Sequence, residues 1–175
     1  VSTAPLELTA VYDEHFAFVW RSLRRLGVPD RLLDDAAQDV FIVVHRRLGE
    51  FEGRSTLKSW LFGIARRVAH DHRRRISRKE RTEELPEMLP DPRAGTPEVE
   101  AARAQAVKVL HELLAGLDDD KREVFVLAEL EQMTVPEIAD AIGANVNTVY
   151  SRLRAARAAF EAAVQRHRAR QGGRP

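Results

Sequence analysis

The stretch TVPEIADAIGANVNTVYSRLRAAR, from Thr134 to Arg157, constrains this chain more than any other. In TVPE, Thr134 can start a helix and Glu137, three residues on, can reach back, so that each satisfies an exposed amide of the other. Ile138, Ala139 and Ile142 give the short helix that follows an apolar side, and Gly143 permits the left-handed turn that ends it. Asn145 can cap a second helix, in which Val146, Val149 and Leu153 are spaced to pack against the first. A short helix, a glycine turn and a second helix make a helix-turn-helix, and the small Ala139 lets the two helices approach closely. The outer face then carries Asn147, Thr148, Tyr150, Ser151, Arg152, Arg154 and Arg157. The start of such a helix meets base edges in a DNA groove, while arginines and hydroxyls hold phosphates. A solvated basic face on an ordinary bundle helix would explain the arginines, but not the capping box, small residue and turn glycine at these offsets.

The same period runs through the rest of the chain. Val11, Tyr12, Phe16, Val19, Trp20, Leu23 and Leu26 predict an inward stripe on a helix over residues 6–27, stopped by Gly27 and Pro29. Asp30 is expected to cap a helix over 31–48 that turns Leu33, Ala36, Ala37, Val40, Phe41, Val44 and Leu48 inward. After the loop EFEGRS, Ser55 or Thr56 can cap a third helix running through Trp60, Leu61, Ile64 and Val68 into HRRR. Thr96 and Pro97 start another, with Val99, Ala102, Ala106, Val109, Leu110, Leu113 and Leu114 as its stripe. Asp118 starts the next, with Val124, Phe125, Leu127, Ala128 and Leu130 inside. Only 9 of the 175 residues are glycine, and β-branched runs are few, so the expected fold class is all-α. TEELPEMLPDPRAGTP, with four prolines and no sustained period, reads as an extended linker. The predicted organisation is a helical domain over 6–80, a Pro-rich acidic linker over 81–96, and a second helical domain over 97–170 ending in the helix-turn-helix.

The net charge of +1 conceals an uneven distribution. Residues 66–81 hold Arg66, Arg67, Arg73, Arg74, Arg75, Arg78, Lys79 and Arg81 against Asp71 and Glu80, and the chain beyond 147 is again rich in arginine. Between them lies a strap with Glu83, Glu84, Glu87, Asp91, Glu98 and Glu100. Two basic patches separated by acids suit two contacts with a polyanion. Cysteine is absent, which removes disulfides, thiolate chemistry and zinc–thiolate sites. No apolar run approaches a membrane span and no basic-then-apolar leader is present, so a cytoplasmic protein is expected. His70 and His72 are two apart, on different helix faces and among arginines, which is unsuited to a metal. No nucleophile–base pair or phosphate loop is visible, so neither enzymatic activity nor a metal or other cofactor is expected.

VPEIADAIGANVNTVYSRLRAAR resembles the DNA-binding domain four of extracytoplasmic-function sigma factors, while DDAAQDVFIVVHRRL and STLKSWLFGIARRVAHDHRRR resemble their domain two. The resemblance covers nearly the whole chain except the linker and tails. It implies an alternative sigma factor whose partners are core RNA polymerase, promoter DNA and, as in many relatives, an anti-sigma protein. It implies that Asp35, Gln38, Asp39 and Phe41 lie on the helix that docks on the polymerase clamp. By the residues themselves, the first three form a polar side and Phe41 faces inward. It implies that the loop from Glu50 to Ser55 captures a flipped −10 base, with Phe51, Glu52 and Arg54 as ring, acceptor and donor, although Phe51 equally suits an anchor for the loop. Lys58, Trp60, Arg66, Arg67, Arg73 and Arg74 fall in the segment that reads and separates −10 DNA, with Trp60 also fitting a core position. Arg67 stands where many relatives have asparagine, Tyr150 where many have a basic residue, and Ala155 where many have arginine, so the promoter read here is expected to differ from theirs. The alternative is a helix-turn-helix regulator that binds a palindromic site without polymerase.

Overall fold

The computed structural model describes residues 7–79 and 97–172. The predicted linker over 81–96, with Glu83, Glu84, Glu87 and Asp91, lies outside the described residues. Among the described residues the chain is all-α, with no strand.

The first group of helices is α1 (Leu8–Arg25), α2 (Leu33–Arg47) and α3 (Leu57–Lys79). The predicted stripes close on one another: Val19, Leu23, Leu33, Val40, Leu61 and Phe62 are fully buried. Burying a side chain of this size contributes roughly 1.5–3 kcal/mol, which sets the three helices against each other. Three details depart from expectation. Tyr12 is 43% exposed rather than inward, with its ring 4.7 Å from that of Phe41 at the edge of the core, and Phe18 and His15 are buried instead. Asp30 does not cap α2, because its carboxylate is engaged by Arg24, whose Nε lies 2.9 Å away. The chain enters α2 through a single 3-10 turn, Asp30–Leu32.

The second group is α4 (Pro97–Ala115), α5 (Asp119–Phe125), α6 (Val135–Ile142) and α7 (Val146–Gly172). Asp118 caps α5 as expected, accepting from the Lys121 amide at 2.9 Å. α5 runs on into a π-helical turn, Val126–Leu130, closed by Glu131 N donating to Val126 O, and Gln132 then takes φ 55° to reverse the chain. Val124, Val126, Leu127, Ile138, Val149 and Ala156 are fully buried, and the Phe125 and Phe160 rings stack 4.4 Å apart. The stripe expected on α4 is covered only at its C-terminal end: Leu114 is buried, while Ala102 and Ala106 are exposed and Val99 is 61% exposed.

The two groups share one continuous core. α3 lies along α6 and reaches α5 through ion pairs of Arg66 and Arg73, and Ser59 Oγ donates to the Glu137 carbonyl at 3.1 Å. At Gly63 the helices come so close that a Cβ would stand 3.2 Å from the Ala141 carbonyl oxygen. Arg122, buried in α5, donates to the carbonyls of Leu114 (2.8 Å), Leu117 (2.9 Å) and Ala115 (3.3 Å), and reaches Leu26 at the end of α1 (3.4 Å). One side chain thereby satisfies the carbonyls that the end of α4 leaves open.

Candidate nucleic-acid interface

The helix-turn-helix forms as its residues dictate. The capping box closes at the head of α6, with Thr134 N donating to Glu137 Oε2 at 2.8 Å. That bond and the Thr134 hydroxyl hold the Glu137 carboxyl below its ordinary value. Gly143 ends the helix at φ 67°, ψ 37°, a conformation in which a Cβ is strained. Asn145 Oδ1 then accepts from the Thr148 amide at 2.8 Å and starts α7. Val149, Leu153 and Ala156 pin α7 to the core, but Val146 is 40% exposed and does not join them.

The outer face of α7 is less uniform than its sequence implies. Asn147, Ser151 and Arg154 are exposed, Tyr150 is 59% exposed, and Thr148 is half-buried. Val135, Asn147, Tyr150, Ser151, Leu153, Arg154 and Arg157 line a shallow groove of about 620 Å³ between the start of α6 and α7. Arg152, expected to be available to a groove, is half-buried and held by an acid instead, while Arg157 lines the groove, stays exposed and also meets an acid. Arg152 Nη2 lies 2.9 Å from Asp120 Oδ2, and Arg157 Nη2 lies 2.7 Å from Glu129 Oε1. These partners come from α5 and the π-helical turn, so spacing within α7 could not reveal them.

Four arginines of α3, Arg66, Arg67, Arg73 and Arg74, divide between two stripes. Ser59, Gly63, Arg66, His70 and Arg73 recur at steps of four and three along one side, and that side meets the second helical group. Arg66 Nε lies 2.6 Å from Glu123 Oε2, and Arg73 forks onto both Asp119 oxygens at 2.6 and 2.7 Å. Burial pushes the Glu123 carboxyl up against the pull of Arg66, while Arg73 holds the Asp119 carboxyl down. Trp60, Arg67 and Arg74, seven apart, form the other stripe, and there Arg67 and Arg74 are exposed. The Phe51 ring packs 5.4 Å from the half-buried Trp60, so Phe51 anchors its loop while keeping an edge in solvent. Glu52 and Arg54 pair with each other on the exposed loop, and Lys58 Nζ lies 5.8 Å from the Phe18 ring. Thr56 Oγ1 accepts from the Ser59 amide at 3.2 Å and fixes where α3 begins.

On α2, Asp35 and Gln38 are exposed. Asp39 also has an internal task, accepting from the buried His72 ring at 2.8 Å and tying α2 to α3. Phe41 is buried, against Tyr12 and Phe16, and forms the floor of an open groove of about 720 Å³ that Leu8, Gln38 and Ile42 also line. No cluster of potential metal ligands occurs among the described residues, and none of their helices is long and apolar enough to cross a membrane.

Residues 11–79 match the family described as Sigma-70 region 2, and residues 108–160 match Sigma-70, region 4. The chain is 30% identical over 151 residues to the ferric citrate uptake sigma factor FecI of Escherichia coli, covering 85% of each chain. It is also 30% identical over 144 residues to the ECF RNA polymerase sigma factor SigC of Mycobacterium tuberculosis, covering 81% of this chain and 75% of that one. Among solved structures, CnrH in complex with the cytosolic domain of CnrY superposes with a TM-score of 0.68 at 26% identity, over 90% of this chain and 87% of that one. The fold is shared as well with the sigma factor RpoE of Bartonella quintana, solved with the anti-sigma factor NepR, at a TM-score of 0.71 and 19% identity over 90% of this chain and 96% of that one. Two regions matched in order, and relatives aligned over most of their length, place the chain in the sigma-70 family of RNA polymerase sigma factors, within its extracytoplasmic-function group.

Proposed function

We infer that this sigma factor mounts on core RNA polymerase through α2 and directs it to a two-part promoter, α7 reading the −35 duplex and α3 with the preceding loop reading and opening the −10 element. The observation that carries the reading is the division of α7. One side is fully buried at Val149 and Ala156, and the opposite side projects Asn147, Tyr150, Ser151 and Arg154 from the first turns of the helix. A major groove accepts such a helix, and each bidentate base contact discriminates by roughly 1–3 kcal/mol.

In the first helical group, Trp60, Arg67 and Arg74 supply one basic and aromatic edge for an opened strand, with Phe51, Glu52 and Arg54 on the adjoining loop. Lys58, Arg66 and Arg73 extend that surface toward the second group. Asp35, Gln38 and Asp39 give polymerase an acidic and polar side of α2, next to the groove floored by Phe41. This work is binding and remodelling in the cytoplasm and requires no covalent chemistry. CnrH and RpoE are each solved with a protein partner, and an anti-sigma protein is a corresponding partner for this chain.

In-vitro transcription with purified core polymerase and a promoter library tests the reading. Initiation from a defined set of start sites is expected, with an asymmetric footprint that needs core enzyme. A two-fold symmetric footprint formed without polymerase would replace it with a regulator that acts alone.

A further inference from the structure

Folding leaves few large apolar side chains in solvent, and two of them sit together at the start of α7. Among the described residues the exposed large hydrophobics are Tyr12, Ile42, Val99, Val146 and Tyr150. Tyr12 and Ile42 line the groove between α1 and α2, and Val99 lies near the start of α4. Val146 and Tyr150 both belong to the first turns of α7, at 40% and 59% exposure. Residues four apart share one side of a helix, with their Cβ atoms about 5–6 Å from each other. The two side chains therefore form one apolar edge rather than two scattered spots.

Neither side chain belongs to the core. Val149, Leu153 and Ala156 hold α7 in place without Val146. Among the described residues no hydrogen bond, ion pair or ring contact engages Tyr150. Charge beside this edge is low. Arg152 is paired with Asp120 and Arg157 with Glu129, which leaves Arg154 as the arginine of residues 146–157 without an acid partner among the described residues. An edge of carbon with little free charge suits bases better than phosphates. In the major groove the apolar group on a base edge is the 5-methyl of thymine. Successive bases on a strand are about 3.4 Å apart along the axis, so an edge of this length spans the methyls of two neighbouring thymines.

We propose that Val146 and Tyr150 are specificity-determining residues that read the 5-methyl groups of two adjacent thymines in the −35 duplex, with Asn147, Ser151 and Arg154 making polar contacts beside them. This rests on the reading of α7 as the −35 helix. Val146 joins the reading face because the structure exposes it, whereas its spacing in the sequence assigns it to the core.

The full-length protein on core polymerase selects promoters from a DNA pool randomised over the −35 segment. The selected duplex is expected to carry two successive thymines on one strand. It is then resynthesised with deoxyuridine at those positions, which keeps every hydrogen-bonding atom and removes only the methyls. Binding by the same sigma–polymerase complex is expected to weaken about fourfold per methyl, the effect of exposing one buried CH₂-sized group. Val146→Ala and Tyr150→Ala should each bind the thymine duplex more weakly and respond less to loss of the methyls, so that side chain and methyl are coupled in a double cycle. A side chain that merely supported the helix would weaken both duplexes alike. Circular dichroism verifies that both variants are folded.

Equal binding of the thymine and deoxyuridine duplexes by the wild type would overturn the proposal. So would a selected segment without thymine, or two folded variants that keep the full response to the methyls. The underlying reading is scored on the same duplex by exchanging T·A for G·C pairs. If those exchanges weaken binding while deoxyuridine does not, the methyl contacts fail and the −35 reading stands; if no −35 segment is enriched at all, the −35 reading itself fails.

Discussion

Arg122 shows how much one side chain can hold. Burial lowers its guanidinium pKa, yet an arginine stays charged, so its four carbonyl partners must compensate a buried cation. Arg122→Met fills similar space and removes the guanidinium donors from those carbonyls, of which Leu114 keeps only the Leu117 amide. It is expected to destabilise the protein by about 3 kcal/mol, measured as a lowered urea midpoint. On the outer side of α7, Arg154 is exposed while Arg157 is paired with Glu129. Arg154→Ala should either reduce the salt slope of duplex binding by about 0.9, if it holds a phosphate, or relax one −35 position, if it reads a base edge. A variant that changes neither the slope nor the preferred sequence would remove Arg154 from the interface. Sequence spacing identified Arg154 correctly as outward, but gave Arg152 and Arg157 the same standing, because the acids that hold them are distant in the chain.

Among the elements, the turn between α6 and α7 sets the direction in which α7 leaves α6. Gly143→Ala forces a side chain into a left-handed conformation and is expected to cost about 1–2 kcal/mol. Thr134→Ala removes the capping residue of α6 and is expected to cost about 0.5–2 kcal/mol. Both should weaken −35 duplex binding more than single-stranded −10 binding, measured by fluorescence anisotropy with the two DNA types. Equal losses on both would mean that the turn supports the whole fold rather than the placement of α7. This element was the most legible part of the chain, since a capping box, a glycine stop and an Asn cap are local chemistry. The π-helical turn at Val126–Leu130 was not legible. It reads as continued helix in the sequence, whereas in the structure the Glu131 amide donates to the Val126 carbonyl and the Met133 amide to the Leu127 carbonyl. The exposed Val99, Ala102 and Ala106 make the same point, because periodicity predicts an apolar stripe without supplying a partner to cover it.

At the scale of the molecule, acid should act on carboxylates of opposite behaviour. Asp118, Asp119 and Glu137 sit below their ordinary values of 3.8, 3.8 and 4.5, held there by Lys121, Arg73 and Thr134. Their contribution is complete above those values and is lost as pH falls through the lower folded ones. Glu123 is raised by burial, so the folded state takes up its proton first, and that uptake favours folding as pH falls. The wild-type urea midpoint is therefore expected to decline below about pH 4, near the ordinary carboxylate range. Glu137→Gln should make that decline shallower and Glu123→Gln should make it steeper. A steeper decline in Glu137→Gln, or a shallower one in Glu123→Gln, would reverse the assignment.

The all-α class, the limits of most helices and the motif of the reading helix were determined by sequence alone, because helical periodicity, caps and stop glycines act over a few residues. Which arginines of α3 face outward, which of α7 are paired, and that α6 lies along α3 while α5 meets it through ion pairs were decided only by the tertiary structure. Those outcomes depend on where acids distant in the chain come to rest (Glu123 and Asp119 for Arg66 and Arg73, Asp120 and Glu129 for Arg152 and Arg157), and a charge in a sequence carries no information about the distance to its partner.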